Sequence, residues 1–211
     1  MPGDETTERG EYRDGGASGW ESSLEQAVRN GRLRAEESAP TIELTIDFLA
    51  GLYDSFVSPE SAMYQVGVAW GRALGARLEQ GASALGGDLS TLRVEDLLLL
   101  IQDELTRARW GRVSFDVERY ASKGIILATL MAGPAAVLPE SVAVGFVALT
   151  AGFLGGVVGR VTGLPMEGTG KRFERGGVVL SEIVVGHEAR ISRVRTHLSE
   201  GLGWHEALAA G

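Results

Sequence analysis

Apolar and polar positions along this chain recur with two periods, which divides it into helical and extended stretches. Apolar residues three and four apart predict helices, and the alternation of Val113, Phe115 and Val117 with polar residues predicts a strand. The stretch 42–56 fits both patterns, and we favour a helix there. The predicted helices cover 21–37, 42–56, 59–80, 93–110, 139–162 and 187–208, and the predicted strands cover 113–117, 125–130, 166–173 and 178–185.

The order of these elements predicts an α+β fold. Two strands, a long helix and two further strands form a β-β-α-β-β core, so we expect an antiparallel sheet with helices packed on one face. Gly176 and Gly177 indicate a tight turn between the last two strands. The predicted parts of the chain are a flexible acidic tail over 1–17, an N-terminal helical segment over 18–58 and the α+β domain over 59–211.

Glycine recurs every fourth residue in two of the predicted helices. Each glycine inside a helix costs roughly 1 kcal/mol relative to alanine, so the repetition indicates that a backbone or a ligand comes close to that face. A smooth groove of this kind also suits a twofold contact between two copies, and we expect a homodimer. The predicted helix-contact groove consists of Gly67, Gly71, Gly75, Gly152, Gly155, Gly156 and Gly159, with Gly163 continuing the later file.

Charge and composition narrow the classes of partner. The formal net charge of −8 argues against nucleic acid and against an anionic membrane surface. The chain has no cysteine, which excludes disulfides, thiolate metal sites and a cysteine nucleophile and fits the cytoplasm. The apolar runs 125–138 and 142–158 could form a membrane hairpin, but the first is too short for a span of ~20 residues and contains Pro134, so we favour a buried helix in a soluble protein.

No pattern of residues indicates catalysis or metal binding. The stretch 167–171 resembles a phosphate-binding loop, but the positions that need glycine and Ser or Thr hold Pro165 and Arg172. The histidines are eight and ten residues apart, so no helix face collects a pair. We therefore predict no enzyme, no metal and no cofactor. The histidines are His187, His197 and His205, and the carboxylates interpreted as solvated are Asp103, Glu104, Asp116, Glu118 and Glu182.

Large apolar side chains indicate where a hydrophobic ligand would bind. Phe146 and Phe153 lie two turns apart on one face of the long helix, and a cavity between the helices and the sheet suits an apolar molecule. Arg172, with Lys171, would hold a carboxylate at its mouth. The same residues would also suit a close-packed core. The predicted cavity residues are Trp70, Trp110, Phe115, Met131, Phe146, Phe153 and Arg172.

Three short phrases resemble the 4-vinyl-reductase domain family, whose relatives include the Bet3-like subunits of the trafficking (TRAPP) complexes. Residues 64–72 are similar to the family's opening helix and residues 110–113 to the entry of its first strand. Residues 152–156 and 163–165 are similar to its long helix and the turn that follows. The resemblance covers about residues 60–186. Cysteines that many members carry around the closing hairpin are absent from 170–178, so metal binding of that kind does not carry over.

The resemblance implies a bacterial small-molecule-binding or assembly module that is often dimeric. The family includes sensors of hydrophobic compounds, accessory proteins of bacteriochlorophyll synthesis and scaffolds that work with small GTPases. We expect a non-enzymatic cytoplasmic homodimer that binds a small hydrophobic molecule and signals or assembles through the dimer. The alternatives are a ligand-free interaction scaffold and an accessory protein of tetrapyrrole metabolism. The N-terminal helix offers a contact for a protein partner.

Overall fold

The computed structural model describes residue 28 and residues 45–211. Val28 is helical and buried, whereas the rest of the predicted helix over 21–37 and the predicted tail over 1–17 lie outside the described residues. A 3₁₀ turn covers Leu89–Thr91. The helices and strands are α1 (Ile46–Asp54), α2 (Pro59–Ala84), α3 (Val94–Arg107), β1 (Arg112–Asp116), α4 (Glu118–Lys123), β2 (Ile125–Met131), α5 (Pro134–Val137), α6 (Glu140–Thr162), β3 (Met166–Arg175), β4 (Val178–His187), α7 (Glu188–Ser199) and α8 (Trp204–Ala210).

The four strands form one antiparallel sheet in the order β1-β2-β4-β3. Successive side chains of a strand point to opposite faces. Ile126, Ala128 and Ile183 point to the face covered by α2, α3 and α6, where the largest buried cluster lies. The predicted α+β class, with its antiparallel β-β-α-β-β core, is confirmed.

The second face of the sheet is covered by the two C-terminal helices, a layer that the sequence pattern did not predict. Ile125 and Val184 alternate with the residues of the first face and are buried together with Ile191 of α7 and Leu208 of α8. The predicted single helix over 187–208 is therefore two helices. The break falls at Gly201, whose φ of +92° lies in the region that glycine adopts without strain.

The predicted hairpin turn between β3 and β4 and the predicted start of α2 are both confirmed. Gly176 and Gly177 both have positive φ, as a two-residue type I′ hairpin turn requires. Pro59 occupies the first turn of α2, where its missing N–H costs nothing. The ambiguous stretch 42–56 is helical over Ile46–Asp54, with the Thr45 hydroxyl accepting a hydrogen bond from the N–H of Phe48.

The long apolar helix α6 is the central element of the core. Among the described residues it is the one helix long and apolar enough to cross a membrane, but most of its length is buried inside the domain. The predicted alternative of a membrane hairpin is wrong, because 125–131 forms the strand β2, which pairs with both β1 and β4. Burial of this kind is that of a core helix.

The glycines of α2 and α6 let these two helices touch through their backbones. A Cβ added to Gly67 would overlap the carbonyl oxygen of Leu149, and one added to Gly71 would lie 2.7 Å from the backbone nitrogen of Val157. From the other side, a Cβ on Gly156 would lie 2.5 Å from the Val68 carbonyl oxygen. The groove is thus filled inside the chain. The prediction of a homodimer stays a prediction, without support from these glycines.

Most of the remaining glycines of the predicted groove serve contacts other than the backbone contact between α2 and α6. A Cβ on Gly155 would lie 3.1 Å from the Cα of Glu167 in β3. This glycine therefore allows the sheet, rather than another helix, to pack closely against α6. A Cβ on Gly75 would meet the side chain of Arg160 at 2.7 Å. Gly163 ends α6 in the left-handed conformation. Gly152 belongs to the contact between α2 and α6, because its Cβ would overlap the Tyr64 carbonyl oxygen, whereas a Cβ on Gly159 would lie 3.2 Å from the Leu164 carbonyl oxygen.

Candidate functional site

The aromatic residues predicted to surround a ligand form a packed cluster instead. The ring of Trp70 lies 4.1 Å from that of Phe153 and 5.1 Å from that of Trp110, measured between centroids. The Trp110 ring lies 5.1 Å from that of Phe146. Distances of this size are those of aromatic rings in direct contact. The four rings therefore fill the space in which the sequence analysis expected a cavity.

The space left beside this cluster is too small for an organic ligand. A void of about 20 Å³ borders Trp110 and Phe146, which is room for roughly one water molecule. Phe115 packs against the same core from β1. Met131 does not, because it alternates with Leu130 along β2 and so points to the other face of the sheet. The predicted cavity is wrong for these residues, and their alternative interpretation as core fits the structure.

A groove of about 900 Å³ lies on the other side of α6, between the first turns of α2 and the strand β3. It is open to solvent along one side. Of the predicted cavity residues, only Arg172 lines this groove. Lys171, which was predicted to act with it, lines the groove as well. The groove is lined by Tyr53, Ser58, Pro59, Glu60, Ser61, Tyr64, Gln65, Glu140, Val144, Val147, Ala148, Ala151, Glu167, Gly168, Thr169, Gly170, Lys171, Arg172 and Arg195.

The floor of the groove is an apolar stripe of α6. Val144, Val147, Ala148 and Ala151 follow one another at helical spacing and therefore share one face. Val144 is 39% exposed, which is unusual in a helix that is otherwise mostly buried. Small side chains at 148 and 151 keep the floor low. Val144 and Ala148 leave part of this stripe accessible, whereas Val147 and Ala151 are buried beneath β3.

One wall of the groove is the main chain of β3. Six consecutive residues, 167–172, border it, although the side chains of a strand alternate between two faces. Gly168 and Gly170 lack side chains because α6 lies directly beneath them. A Cβ on Gly170 would lie 2.7 Å from Val147 Cγ1, and one on Gly168 would overlap the carbonyl oxygen of Ala151. The strand thus presents its backbone edge to the groove.

One end of the groove is closed by contacts around Gly168. The N–H of Gly168 donates to the Tyr64 hydroxyl at 3.4 Å, and the carbonyl oxygen of Gly168 accepts from Arg195 at 2.8 Å. The Arg195 guanidinium also pairs with Glu167 and lies 5.6 Å from the centre of the Tyr64 ring. Arg195 therefore reaches from α7 around the edge of the sheet and ties β3 to α2.

Charges of both signs stand on the rim. Arg172 donates through Nε to the carbonyl oxygen of Ala135 at 3.2 Å, which holds its guanidinium at the wall. Lys171 is exposed, with Nζ 5.9 Å from the centre of the Phe173 ring. Glu60 and Glu140 stand in the first turns of α2 and α6, where a negative charge complements the helix dipole. The rim can therefore orient a polar group, while the floor accepts an apolar one.

Most of the histidines and carboxylates that the sequence analysis did not assign to catalysis or metal binding make structural contacts. His187 caps α7 by accepting the N–H of Ala189 at 3.3 Å, and Glu104 pairs with Arg77 and Arg107. Asp116 accepts from the N–H of Glu118. In the part of the chain that the structure describes, no cluster of three or more His, Asp or Glu residues could hold a metal ion.

Glu182 is an exception, because its predicted place on a solvated face is wrong. It is 6% exposed and accepts from the indole N–H of Trp204 at 2.9 Å. Arg175 and His205 stand 3.7 and 3.9 Å from its carboxylate. The carboxylate thereby ties α8 to the outer face of the sheet, the face opposite α6.

Sequence reasoning missed most residues of the groove. Tyr64 and Arg195 carry no motif, and Val144 and Ala148 fall in an apolar run that is equally consistent with burial on every side. One signal was available. Glycines at alternate positions 168 and 170 of a predicted strand indicate a close approach of another element on one face.

Comparisons with known proteins give a fold-level likeness. No family model matches the chain, and no curated protein matches it. A crystal structure of a vinyl-4-reductase family protein from Methanocaldococcus jannaschii is similar at a TM-score of 0.40 and 16% identity, over 77% of this chain and 92% of that chain. The phenol-responsive sensory domain of the transcription activator PoxR, crystallised with phenol, is similar at a TM-score of 0.49 and 13% identity, over 86% and 98% of the two chains. Both TM-scores lie below 0.5, so the functional argument rests on the groove itself.

Proposed function

We propose that this chain is a non-enzymatic binding module that holds a small, mostly apolar molecule in the groove between α2, α6 and β3. The observation that carries the proposal is the groove's combination of size and lining. Its volume of about 900 Å³ lies within the range of roughly 300–1,000 Å³ typical of ligand sites. The floor is apolar, and the polar groups stand at the rim and along one wall.

The expected ligand follows from this division. An apolar body would lie on Val144 and Ala148, which are partly accessible to solvent, and beside the buried Val147. A polar head would be directed to the wall formed by β3. An amphipathic molecule with a single short chain meets both conditions, and it stabilises the folded protein by binding to that state alone.

The proposal is tested with decanoate as the probe and with Ala148→Phe as the blocking variant. A phenyl group at 148 would rise from the floor and occupy the groove, so we expect decanoate to bind the unchanged protein and not the variant. Isothermal titration calorimetry measures both affinities. Ala73→Phe is the matched control, because Ala73 is exposed on α2 and does not line the groove. Equal binding by Ala148→Phe and by the unchanged protein would refute the groove as the site.

A second candidate is an interaction scaffold without a ligand. The observation that favours it is the packed ring cluster of Trp70, Trp110, Phe146 and Phe153, beside which lies a void of only about 20 Å³. Native mass spectrometry of the purified protein separates the two candidates. A ligand-binding module gains the mass of added decanoate, whereas a scaffold keeps integer multiples of 22.4 kDa. The same spectra count the copies and so test the predicted homodimer.

A further inference from the structure

The free edge of β3 has a defined hydrogen-bonding pattern. In an antiparallel pair, residues alternate between those that bond the neighbouring strand and those whose N–H and C=O point away from it. Gly168 bonds Tyr64 and Arg195 and therefore points away from β4. Gly170, two residues further along, points the same way.

The hairpin turn gives the same alternation independently. The two-residue turn Gly176–Gly177 joins Arg175 to Val178, and such a turn closes on a hydrogen-bonded pair. Counting back from Arg175, the odd-numbered residues bond β4 and the even-numbered residues point outward. The N–H and C=O of Gly170 thus both face the groove, where no described residue bonds them.

Gly170 stands at the centre of the groove wall. It is half-buried and lies above Val147 of the floor. Backbone N–H and C=O groups next to an apolar surface have little water to bond, which makes a ligand that bonds both of them favourable. The edge at Gly168 is already occupied by Tyr64 and Arg195, so the open stretch begins at Gly170.

We propose that the ligand of this groove is an N-acylated amino acid that pairs with Gly170 as one residue of an added antiparallel strand. This inference rests on the proposed function and names its ligand class. The ligand's amide N–H donates to the carbonyl oxygen of Gly170, and one carboxylate oxygen accepts from the N–H of Gly170. An N-acyl amino acid carries this donor and acceptor with the spacing of a single residue.

The direction of the pairing places the rest of the ligand. An antiparallel partner runs opposite to β3, so its carboxylate end lies towards Gly168 and its acyl chain towards Arg172. The second carboxylate oxygen then meets the Tyr64 hydroxyl, which accepts from Gly168 and keeps its own proton to donate. The acyl chain lies over Val144 of the floor.

The test compares N-decanoylglycine with O-decanoyl glycolate, which replaces the amide N–H by an ester oxygen without added bulk. Calorimetric titration of the full chain should give an affinity at least about fivefold higher for the amide, because the ester cannot donate to Gly170. Tyr64→Phe should weaken both ligands, because each carries the carboxylate. Tyr120→Phe is the matched control, since Tyr120 lies in α4, does not line the groove and should leave both affinities unchanged.

The outcomes separate this inference from the proposed function. Equal affinities for amide and ester would overturn the pairing with Gly170 and leave the groove as a site for apolar chains. Tighter binding of the amide that survives Tyr64→Phe unchanged would overturn the direction of pairing. Failure of both ligands and of decanoate to bind would overturn the inference and the proposed function together.

Discussion

The two flanks of α6 use small residues in opposite ways. Towards α2, Gly152 and Gly156 are covered so closely that a methyl group would meet the backbone of the other helix. Towards β3 and the first turns of α2, Ala148 and Val144 border about 900 Å³ of accessible space. Small side chains thus produce contact where a second helix crosses them and a groove where none does. The periodicity of small residues alone does not tell the two apart.

The strongest test of the packed flank is Phe153→Ala. The Phe153 side chain is fully buried against Trp70, so truncation should lower the free energy of unfolding by about 3–5 kcal/mol. Urea denaturation measures the loss. Val144→Ala, on the groove flank, should cost less than about 1 kcal/mol because Val144 is already 39% exposed. Similar losses for the two variants would remove the distinction between the flanks.

A smaller loss is expected from Gly71→Ala. The added methyl group would overlap the carbonyl oxygen of Phe153, and neither helix can move without losing its other contacts. We expect a net loss of about 1–3 kcal/mol, as for other overpacked interiors. Thermal unfolding followed by circular dichroism would show it. A variant as stable as the unchanged protein would mean that the two helices are not in backbone contact.

The smallest effect is expected from Gly159→Ala. Its methyl group would lie 3.2 Å from the Leu164 carbonyl oxygen, in the turn that follows α6, and the site is half-buried. Alanine also gains up to about 1 kcal/mol of helix propensity over glycine. We therefore expect the midpoint of thermal unfolding to stay the same or to rise. A loss equal to that of Gly71→Ala would show that both glycine files are equally constrained.

Most helices and strands could be predicted from the sequence because the patterns that indicate them are local and periodic. Alternation over 113–117 and the glycine pair 176–177 define strands and a turn without reference to the rest of the chain. The division of the predicted helix over 187–208 into two was missed because the break at Gly201 lies inside a continuous pattern of polar and apolar residues. The predicted element bounds otherwise differ from the structure by a few residues.

The site was harder to predict because packing decides it. Trp70 and Phe153 suit a cavity and a core equally, and the choice depends on how closely α2 approaches α6. Arg172 was predicted as a ligand contact and lines the groove, but the other lining residues come from five separate elements, α1, α2, α6, β3 and α7. The backbone edge at Gly170 has no side chain for a sequence pattern to reveal.

The account's central claim is that the ligand occupies the groove and that the aromatic cluster is core. A titration of the protein with decanoate, followed by nuclear magnetic resonance, tests it most directly. We predict that the methyl signals of Val144, Val147 and Ala148 shift, while the indole N–H signals of Trp70 and Trp110 stay in place. Shifts of the two indole signals with the three methyl groups unchanged would contradict the account and return the site to the interior.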